Sequence, residues 1–378
     1  MENTVRILHT ADLHLGCEFA FLPQSERAKR KAELVLCFEK IIKICEVNKI
    51  DFLLLAGDVF DSNNVDENTI GAFLRGIEKL SATNVICVAG NHDPLTANSP
   101  LLRASLPKNL TVIEPNDQCV TFANKGVNIF GKSFGSTYMT GAENFSLPAD
   151  NDNINIMVLH GDLGTDMSSG YNTITKDYIK NSNMDYVALG HVHEFSGVNT
   201  AGAVRYAYSG CPEPHGFDEL GRKGVICANI GKGVFSFDFV PTAIRCHEEV
   251  SVDLGDCTDN ITAADKVLET LKENYGENYR ENLYKIILCG QVDESYKVNK
   301  DEILRRISDD VFFAKIKDHT EIKLNLPLIA KENTYRGSFV KIMLEKIEAA
   351  DASNKEKLKK ALFLGLKAFS EEVKYNED

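Results

Sequence analysis

The 378-residue sequence lacks the features of membrane-spanning, secreted and low-complexity proteins. No segment approaches the roughly 18 unbroken apolar residues that a membrane-spanning helix needs. The N-terminus has no basic run leading into an apolar, signal-type stretch. With 43% hydrophobic residues, the chain can bury a sizeable core. We therefore expect a soluble, cytoplasmic protein of two or three globular units.

Paired cysteines and excess positive charge are also missing. The ten cysteines are scattered without any CxxC pair, which indicates reduced core thiols rather than disulfides. The net charge of -13 argues against a basic protein that wraps nucleic acid, because counterion release needs clustered lysines and arginines. An acidic nuclease is compatible with this charge, since bound metal ions themselves attract phosphate.

The beginning of the chain alternates apolar runs with helical periodicity. Residues 5–8, 52–56 and 85–89 are predicted strands, and residues 25–48 and 66–80 are predicted helices. Strands that alternate with helices predict right-handed crossovers, and hence parallel strands that end at one edge of a sheet. Polar residues that follow these strands should therefore converge at that edge.

From residue 110 the pattern changes to short strands with little helix, which predicts a second sheet packed on the first. The expected strands are residues 110–113, 127–130, 154–159, 186–189, 204–208, 225–230 and 234–239, with a helix at 174–181. The predicted fold class is α/β, a two-sheet sandwich flanked by helices that forms a catalytic domain over residues 1–242. Residues 243–332 are predicted to form a small α+β capping domain. Residues 333–378 are predicted to be helices that pack on their own domain or bind a partner.

Five short segments bearing histidine and aspartate lie where predicted strands end. They are Asp12-Leu13-His14, Gly57-Asp58-Val59-Phe60-Asp61, Gly90-Asn91-His92-Asp93, His160-Gly161 and Gly190-His191-Val192-His193. Each segment alone is weak evidence, because an isolated Asp-x-His is mostly an accident of composition. Five segments in this order, each after a strand, predict a site for two metal ions. Paired ions of this kind act on phosphoesters.

The second segment supplies the candidate bridging ligand, since the carboxylate of Asp58 can bind two ions with its two oxygens. Asp12, His14 and one histidine of the last segment would complete the ligands of one ion. Asn91, His160 and the other histidine of that segment would complete those of the second. Such mixed nitrogen and oxygen ligands suit Mn, Fe or Zn better than Mg or Ca.

His92 is the candidate general acid, because a histidine beside a dimetal centre can protonate the leaving alkoxide. Asp61 is predicted to hold the His92 ring in the required tautomer. The other histidines are not expected to be ligands. His9 is predicted to pack at the end of the first strand or to support a ligand. Three more histidines are predicted to be exposed to solvent: His215, His247 and His319. Of these, His215 is the best candidate for contact with the substrate.

These segments resemble the calcineurin-like metallophosphoesterase superfamily, whose pattern is D-x-H, G-D-x-x-D, G-N-H-D, H and G-H-x-H. Residues 9–16, 57–61, Tyr-Ser-Gly-Cys-Pro-Glu at 208–213 and Gly-Phe-Asp-Glu-Leu-Gly at 216–221 are similar to the SbcD and YhaO type of DNA-repair exonuclease. Its eukaryotic relative is the nuclease subunit of the double-strand-break repair complex. The resemblance covers residues 5 to about 240 and is architectural beyond residue 241.

The resemblance implies Mn²⁺-dependent cleavage of DNA phosphodiesters through a dimetal-activated water, with His92 as the catalytic histidine. It implies one ion bound by Asp12, His14, Asp58 and His193, and another bound by Asp58, Asn91, His160 and His191. It also implies a dimer that works with an SMC-like ATPase through its C-terminal helices.

Two other functions are compatible with the same residues. A phosphatase or a small-molecule or cyclic-nucleotide phosphodiesterase would use the same centre, because metal ions that bind a phosphate do not distinguish the groups attached to it. An open groove would favour DNA, and a closed pocket would favour a nucleotide. A non-catalytic scaffold would be expected to lose ligands, and here every predicted ligand and His92 is present.

Overall fold

The protein is described by a computed structural model that covers residues 3–116, 118–140, 152–165 and 170–370. Its strands are β1 (Thr4–Thr10), β2 (Phe52–Ala56), β3 (Asn84–Val88), β4 (Leu110–Val112), β5 (Gln118–Phe122), β6 (Val127–Lys132), β7 (Ile154–His160), β8 (Tyr186–Gly190), β9 (Asn199–Ala201), β10 (Val204–Tyr208), β11 (Gly224–Gly231), β12 (Val234–Pro241), β13 (His247–Asp253), β14 (Leu283–Cys289), β15 (Gln291–Asp293), β16 (Phe313–Asp318) and β17 (Glu321–Lys323). Its helices are α1 (Gln24–Val47), α2 (Glu67–Lys79), α3 (Pro100–Arg103), α4 (Lys176–Lys180), α5 (Asn260–Tyr275), α6 (Lys300–Ile307), α7 (Leu326–Ile329), α8 (Tyr335–Ala349) and α9 (Ala352–Ser370), with a 3₁₀ helix at Gly276–Glu281.

The first sheet has six strands in the order β12-β11-β1-β2-β3-β4. The strands β1, β2 and β3 are parallel, which confirms the prediction from the alternating strands and helices. Alternate side chains of β2 face opposite sides of this sheet. Leu53 and Leu55 join a core that includes Phe38 of α1, while Leu54 joins a core that includes Ile156 of β7. The sheet is therefore buried on both faces, as its continuous apolar strands require.

The second sheet has the order β5-β6-β7-β8-β10-β9, with β6, β7, β8 and β10 parallel. Two multistrand sheets flanked by helices confirm the predicted α/β fold class. The assignment of β4, β11 and β12 to the second sheet was wrong. β4 pairs in parallel with β3, and β11 and β12 form a hairpin beside β1. Apolar patterning predicts a strand, but strand pairing depends on residues far away in the chain.

The chain divides into two compact units. One comprises Met1–Val250, Tyr275–Lys285 and Ser308–Lys315, and the other comprises Ser251–Asn274, Ile286–Ile307 and Ile316–Asp378. A three-stranded sheet has the order β13-β14-β16, and β15 pairs with β17. The predicted domain borders at residues 242 and 332, and the capping role, stay predictions.

Two helices at the end of the second unit share an apolar core. This core includes Val340 and Met343 of α8 and Leu362 and Leu366 of α9, as the apolar stripes predict. The predicted helical residues 371–374 lie outside the described residues. Within the described ranges, no helix combines the length and the apolar character that crossing a membrane requires.

Candidate metal centre

The five segments come together at the carboxyl ends of strands from both sheets. The loops after β1, β2 and β3 carry Asp12, Asp58 and Asn91. In the second sheet, β7 ends at His160, and the turn after β8 carries His191. All of these residues belong to the first unit. The structure thus places every predicted ligand, including His14 and His193, in one site together with His92.

The backbone at the ligands has an unusual conformation. Asp12, His14 and Asp58 have positive φ angles of 54°, 42° and 49°, which is uncommon outside glycine and is often found at functional sites. Asp12 N donates to Gly57 O at 3.0 Å, and His14 N donates to Asp58 O at 3.0 Å. These two hydrogen bonds hold the first two segments side by side.

Gly57 allows the two sheets to approach each other at the site. Its φ is +94°, and a Cβ there would lie 2.2 Å from Nδ1 of His160. Any side chain at this position would therefore displace the His160 ring. The glycine of the Gly-Asp motif is required by the close approach of a histidine from the other sheet.

The first group of donor atoms comprises Asp12, His14 and His193, whose ligand atoms lie within 4.8 Å of one another. The Nε2 atoms of His14 and His193 face each other at 3.3 Å. Asp58 Oδ2 lies 3.8 Å from His14 Nε2. Two imidazole nitrogens that point at one another beside carboxylates fit an ion bound between them.

The second group meets at Asn91. Its Oδ1 lies 3.0 Å from His160 Nε2 and 3.2 Å from His191 Nδ1. Asp58 Oδ2 is 3.3 Å from the same His160 nitrogen. Asp58 therefore borders both groups, and it is buried with 1% exposure. This donor set fits two divalent ions of the Mn, Fe or Zn type, with Asp58 between them.

Each histidine of the two groups has an acceptor beside its other ring nitrogen. His160 Nδ1 faces Ala56 O at 2.9 Å. His14 Nδ1 faces Asp61 Oδ1 at 3.1 Å, His193 Nδ1 faces Glu219 Oε1 at 2.5 Å, and His191 Nε2 lies 3.2 Å from Asp162 Oδ1. Such partners fix the ring orientation and tautomer of a metal ligand.

Sequence reasoning missed Glu219 and Asp162 as partners of ligands. Glu219 belongs to the Gly-Phe-Asp-Glu-Leu-Gly segment that carried the family resemblance, so a signal was present. Asp162 follows His160 by two residues and could have been considered for that reason. The sequence near Glu219 and Asp162 does not indicate which histidine each contacts, because that histidine lies more than 25 residues away in the chain.

The electrostatics of the site follow from the close pairing of carboxylates and imidazoles. Burial alone lowers the pKa of His160, but Asp58 and Asp12 outweigh burial and raise it to about 9. Burial likewise lowers the pKa of His193, and the hydrogen bond to Glu219 raises it to about 9. Burial favours a higher pKa for Asp58, yet His160 and His14 hold it well below its usual range. The raised pKa values of His160 and His193 mean that a cation binding here would compete with protons on these two rings.

His92 is the exposed residue of the set. Its backbone N donates to Asp58 Oδ1 at 2.9 Å, and its ring centroid lies 4.7 Å from that of His14. Its Nδ1 faces the backbone O of Asp61 at 3.2 Å. Asp61 thus contacts the His92 ring through its backbone carbonyl, while its carboxylate faces His14 Nδ1. Its role in setting the tautomer of His92 stays a prediction.

The remaining histidines differ in their surroundings. His9 is fully buried, with Nδ1 at 2.9 Å from the Tyr186 hydroxyl, as expected of a packing residue. His319 is exposed, as predicted. His247 was predicted to be solvated but is buried, and its Nδ1 donates to Gly216 O. His215 is half-buried, with its ring nitrogens 3.2 Å from Glu219 Oε2 and 3.4 Å from Leu13 O. Its ring thus has partners inside the protein instead of solvent.

The geometry agrees with what comparison with known proteins shows. Residues 5–195 match the calcineurin-like phosphoesterase family, and the chain belongs to this family. Membership supports a hydrolase that binds two metal ions.

Three relatives show which members of the family this chain is similar to. The chain is 26% identical over 351 residues to the uncharacterized metallophosphoesterase YhaO of Bacillus subtilis, covering 86% of this chain and 84% of that protein. It is 21% identical over 379 residues to the DNA double-strand break repair protein Mre11 of Saccharolobus solfataricus, covering 92% and 96%. It is 26% identical over 304 residues to SbcD of the SbcCD nuclease of Staphylococcus epidermidis, covering 72% and 77%. These matches confirm the resemblance to the SbcD and YhaO type.

Proposed function

We propose that the protein is a DNA nuclease, an exonuclease that hydrolyses phosphodiester bonds with two bound Mn²⁺ ions. The observation that carries the proposal is the position of Asp58 between two groups of nitrogen and oxygen donors, with an exposed histidine beside them. The names of the relatives, DNA double-strand break repair protein Mre11 and the SbcCD nuclease, support DNA as the substrate.

The ligands follow from the two groups of donor atoms. One ion would be held by Asp12, His14, Asp58 and His193, and the other by Asp58, Asn91, His160 and His191. When bound, two divalent ions supply positive charge that polarises the phosphoryl group and lowers the pKa of an attacking water. Asp61 and Glu219 keep the ligand rings in place from outside this set.

His92 is the residue that handles the proton of the leaving group. The Asp61 carbonyl accepts a hydrogen bond from Nδ1, which leaves Nε2 as the atom that can donate to the leaving oxygen. The backbone bond to Asp58 Oδ1 ties this ring to the bridging carboxylate. Its exposure gives a polymeric substrate access to the ring. These properties suit a general acid acting on an alkoxide of deoxyribose.

We further propose that the C-terminal helices bind an SMC-like ATPase partner. Beside their shared core, α8 and α9 expose large apolar side chains, among them Ile342 at 52% and Leu364 at 68%. The name of a relative describes one subunit of the SbcCD nuclease, which supports a partner of this kind. An ATPase subunit would also supply DNA affinity that an acidic chain of net charge -13 lacks.

The test is Mn²⁺-dependent hydrolysis of end-labelled linear DNA by the purified protein, beside bis(p-nitrophenyl) phosphate. Asp58→Asn and His92→Ala are the site variants, and His319→Ala is the matched control, because that histidine is exposed outside the site. The proposal is supported if the wild type and the control cleave both substrates and the site variants no longer cleave DNA. Cleavage of the small diester alone would redirect it to a small-molecule phosphodiesterase.

A further inference from the structure

A second group of side chains of metal-binding type shares His193 with the predicted dimetal centre. The ligand atoms of His193, Cys211, His215 and Glu219 all lie within 4.8 Å of one another. Cys211 is fully buried, and Glu219 is 6% exposed. Three of the four residues come from the short segment that follows β10. None of these three is a ligand in the two groups described above.

The side chains of His193, Cys211 and His215 all contact one carboxylate. Glu219 Oε1 lies 2.5 Å from His193 Nδ1. Glu219 Oε2 lies 3.2 Å from His215 Nδ1 and 3.3 Å from Cys211 Sγ, and it also accepts from His215 N at 2.6 Å. A cation at this point would take the place of up to three protons, which leave to solvent as the thiol and the imidazoles bind it.

The donor set has the composition of a zinc site. Two imidazole nitrogens, one thiolate and one carboxylate make up the four ligands of a tetrahedral Zn²⁺ ion. With metal–ligand distances of about 2.0–2.3 Å, the edges of such a tetrahedron are about 3.3–3.8 Å. The distances from Glu219 Oε2 to His215 and Cys211 already approach this range. The shorter contact between Glu219 and His193 would have to lengthen, by rotation of the carboxylate, and the remaining pairs lie within 4.8 Å of one another.

Hydrogen bonds to the His193 carbonyl hold the cluster together. Cys211 N donates to His193 O at 3.2 Å, and the buried Lys223 Nζ donates to the same oxygen at 3.2 Å. Gly210 between the strand and Cys211 has a φ of +73°, and a Cβ there would lie 3.0 Å from His193 O. The thiol and the histidine are therefore fixed side by side before any ion binds.

We propose that His193, Cys211, His215 and Glu219 form a third metal site, selective for Zn²⁺ and coupled to the dimetal centre. Selectivity comes from the thiolate, because the dimetal donors are only nitrogen and oxygen and Mn²⁺ is poorly matched to sulfur. Coupling comes from His193, whose Nε2 faces His14 while its Nδ1 faces this cluster. Zn²⁺ on Nδ1 removes the Glu219 hydrogen bond from a ligand of the first ion, so zinc inhibits the Mn²⁺-dependent reaction. Only this inhibitory consequence depends on the proposed nuclease function.

The test uses Co²⁺ as a spectroscopic substitute for Zn²⁺ in the full-length protein. Wild type loaded with three equivalents should show a thiolate-to-cobalt charge-transfer band that Zn²⁺ abolishes. Cys211→Ser should lose the band and bind one equivalent fewer. Cys17→Ser is the matched control, three residues after His14 but outside the cluster, and should keep the band. Zinc should inhibit Mn²⁺-dependent hydrolysis at least about tenfold less effectively in Cys211→Ser than in the control.

A measurement on unmodified protein covers the case in which Cys211→Ser does not fold. Zinc K-edge X-ray absorption of wild type carrying two Mn²⁺ and one Zn²⁺ should show one sulfur neighbour at about 2.3 Å. A zinc shell of nitrogen and oxygen alone, or a cobalt band that survives in Cys211→Ser, overturns the proposal. If two ions bind and neither has a sulfur ligand, the proposed third site is wrong but the proposed dimetal centre is not. If zinc has a sulfur ligand but the protein cleaves no diester, the third site is supported and the proposed nuclease function is wrong.

Discussion

The edges of the two sheets supply different halves of the predicted metal centre. The loops after β1, β2 and β3 supply the predicted oxygen ligands Asp12, Asp58 and Asn91, whereas the second sheet supplies three histidines. His14 is the one nitrogen ligand predicted on the first sheet. Neither edge carries a complete set of ligands. The packing of one sheet on the other, through a shared apolar core, therefore fixes the distances on which the centre depends.

The largest effect is expected from removing the carboxylate that both halves share. Asp58→Asn should lower kcat at least about 1000-fold, because it removes several kcal/mol of charge stabilisation, at about 1.4 kcal/mol per factor of ten. The loss should be similar for DNA and for bis(p-nitrophenyl) phosphate, since both need the ions. Steady-state rates at saturating Mn²⁺ measure it. A loss confined to one substrate would contradict the shared position of Asp58.

The next effect separates proton transfer from metal binding. His92→Ala should slow DNA cleavage by about 100-fold or more, as expected when a general acid is lost. It should slow hydrolysis of bis(p-nitrophenyl) phosphate much less, because p-nitrophenolate leaves without needing a proton. The ratio of the two rate losses is the measurement. Equal losses on both substrates would show that His92 acts by another route than protonation.

A smaller effect is expected from replacing the carboxylates that contact the histidines of the second sheet. Glu219→Gln and Asp162→Asn should each weaken metal binding, within the roughly 10- to 100-fold range for such partners. Glu219 should matter more, because its side chain is 8% exposed and lies 2.5 Å from its histidine, whereas that of Asp162 is 37% exposed and 3.2 Å away. Mn²⁺ titrations of both variants and of wild type measure the order. The reverse order would show that burial does not set the strength of these contacts.

The smallest effect concerns the support of the segment that carries Glu219. His247 stacks on Phe217 and donates to Gly216 O, and burial lowers its pKa to about 4. The unfolded chain therefore binds this proton more readily. The stability that neutral His247 contributes is full above pH 6.5 and is lost as the pH falls towards 4.

Denaturant unfolding of wild type and His247→Phe between pH 7 and pH 4 measures this contribution. The variant should lose less stability over this interval than wild type, because it has no imidazole to protonate. His319→Ala, which removes an exposed histidine, is the control and should follow wild type. Parallel curves for wild type and His247→Phe would show that His247 does not titrate with folding.

The sequence predicted the positions of the ligands better than their partners. Asp58 and His160 follow continuous apolar strands, so the convergence of strand ends placed them in one site. The partners of β4 and β11 could not be read in this way, because apolar patterning does not encode which strand lies alongside. The same holds for the contact of Asp61 with His14 and for the burial of His247, which depend on segments distant in the chain.

The bridging position of Asp58 is tested most directly by electron paramagnetic resonance of the protein titrated with Mn²⁺. We predict two ions per chain with a spin-coupled spectrum, and in Asp58→Asn the loss of that coupling. A single bound ion in wild type, or two ions whose spectra are uncoupled, would contradict a centre in which both sheets meet at one carboxylate.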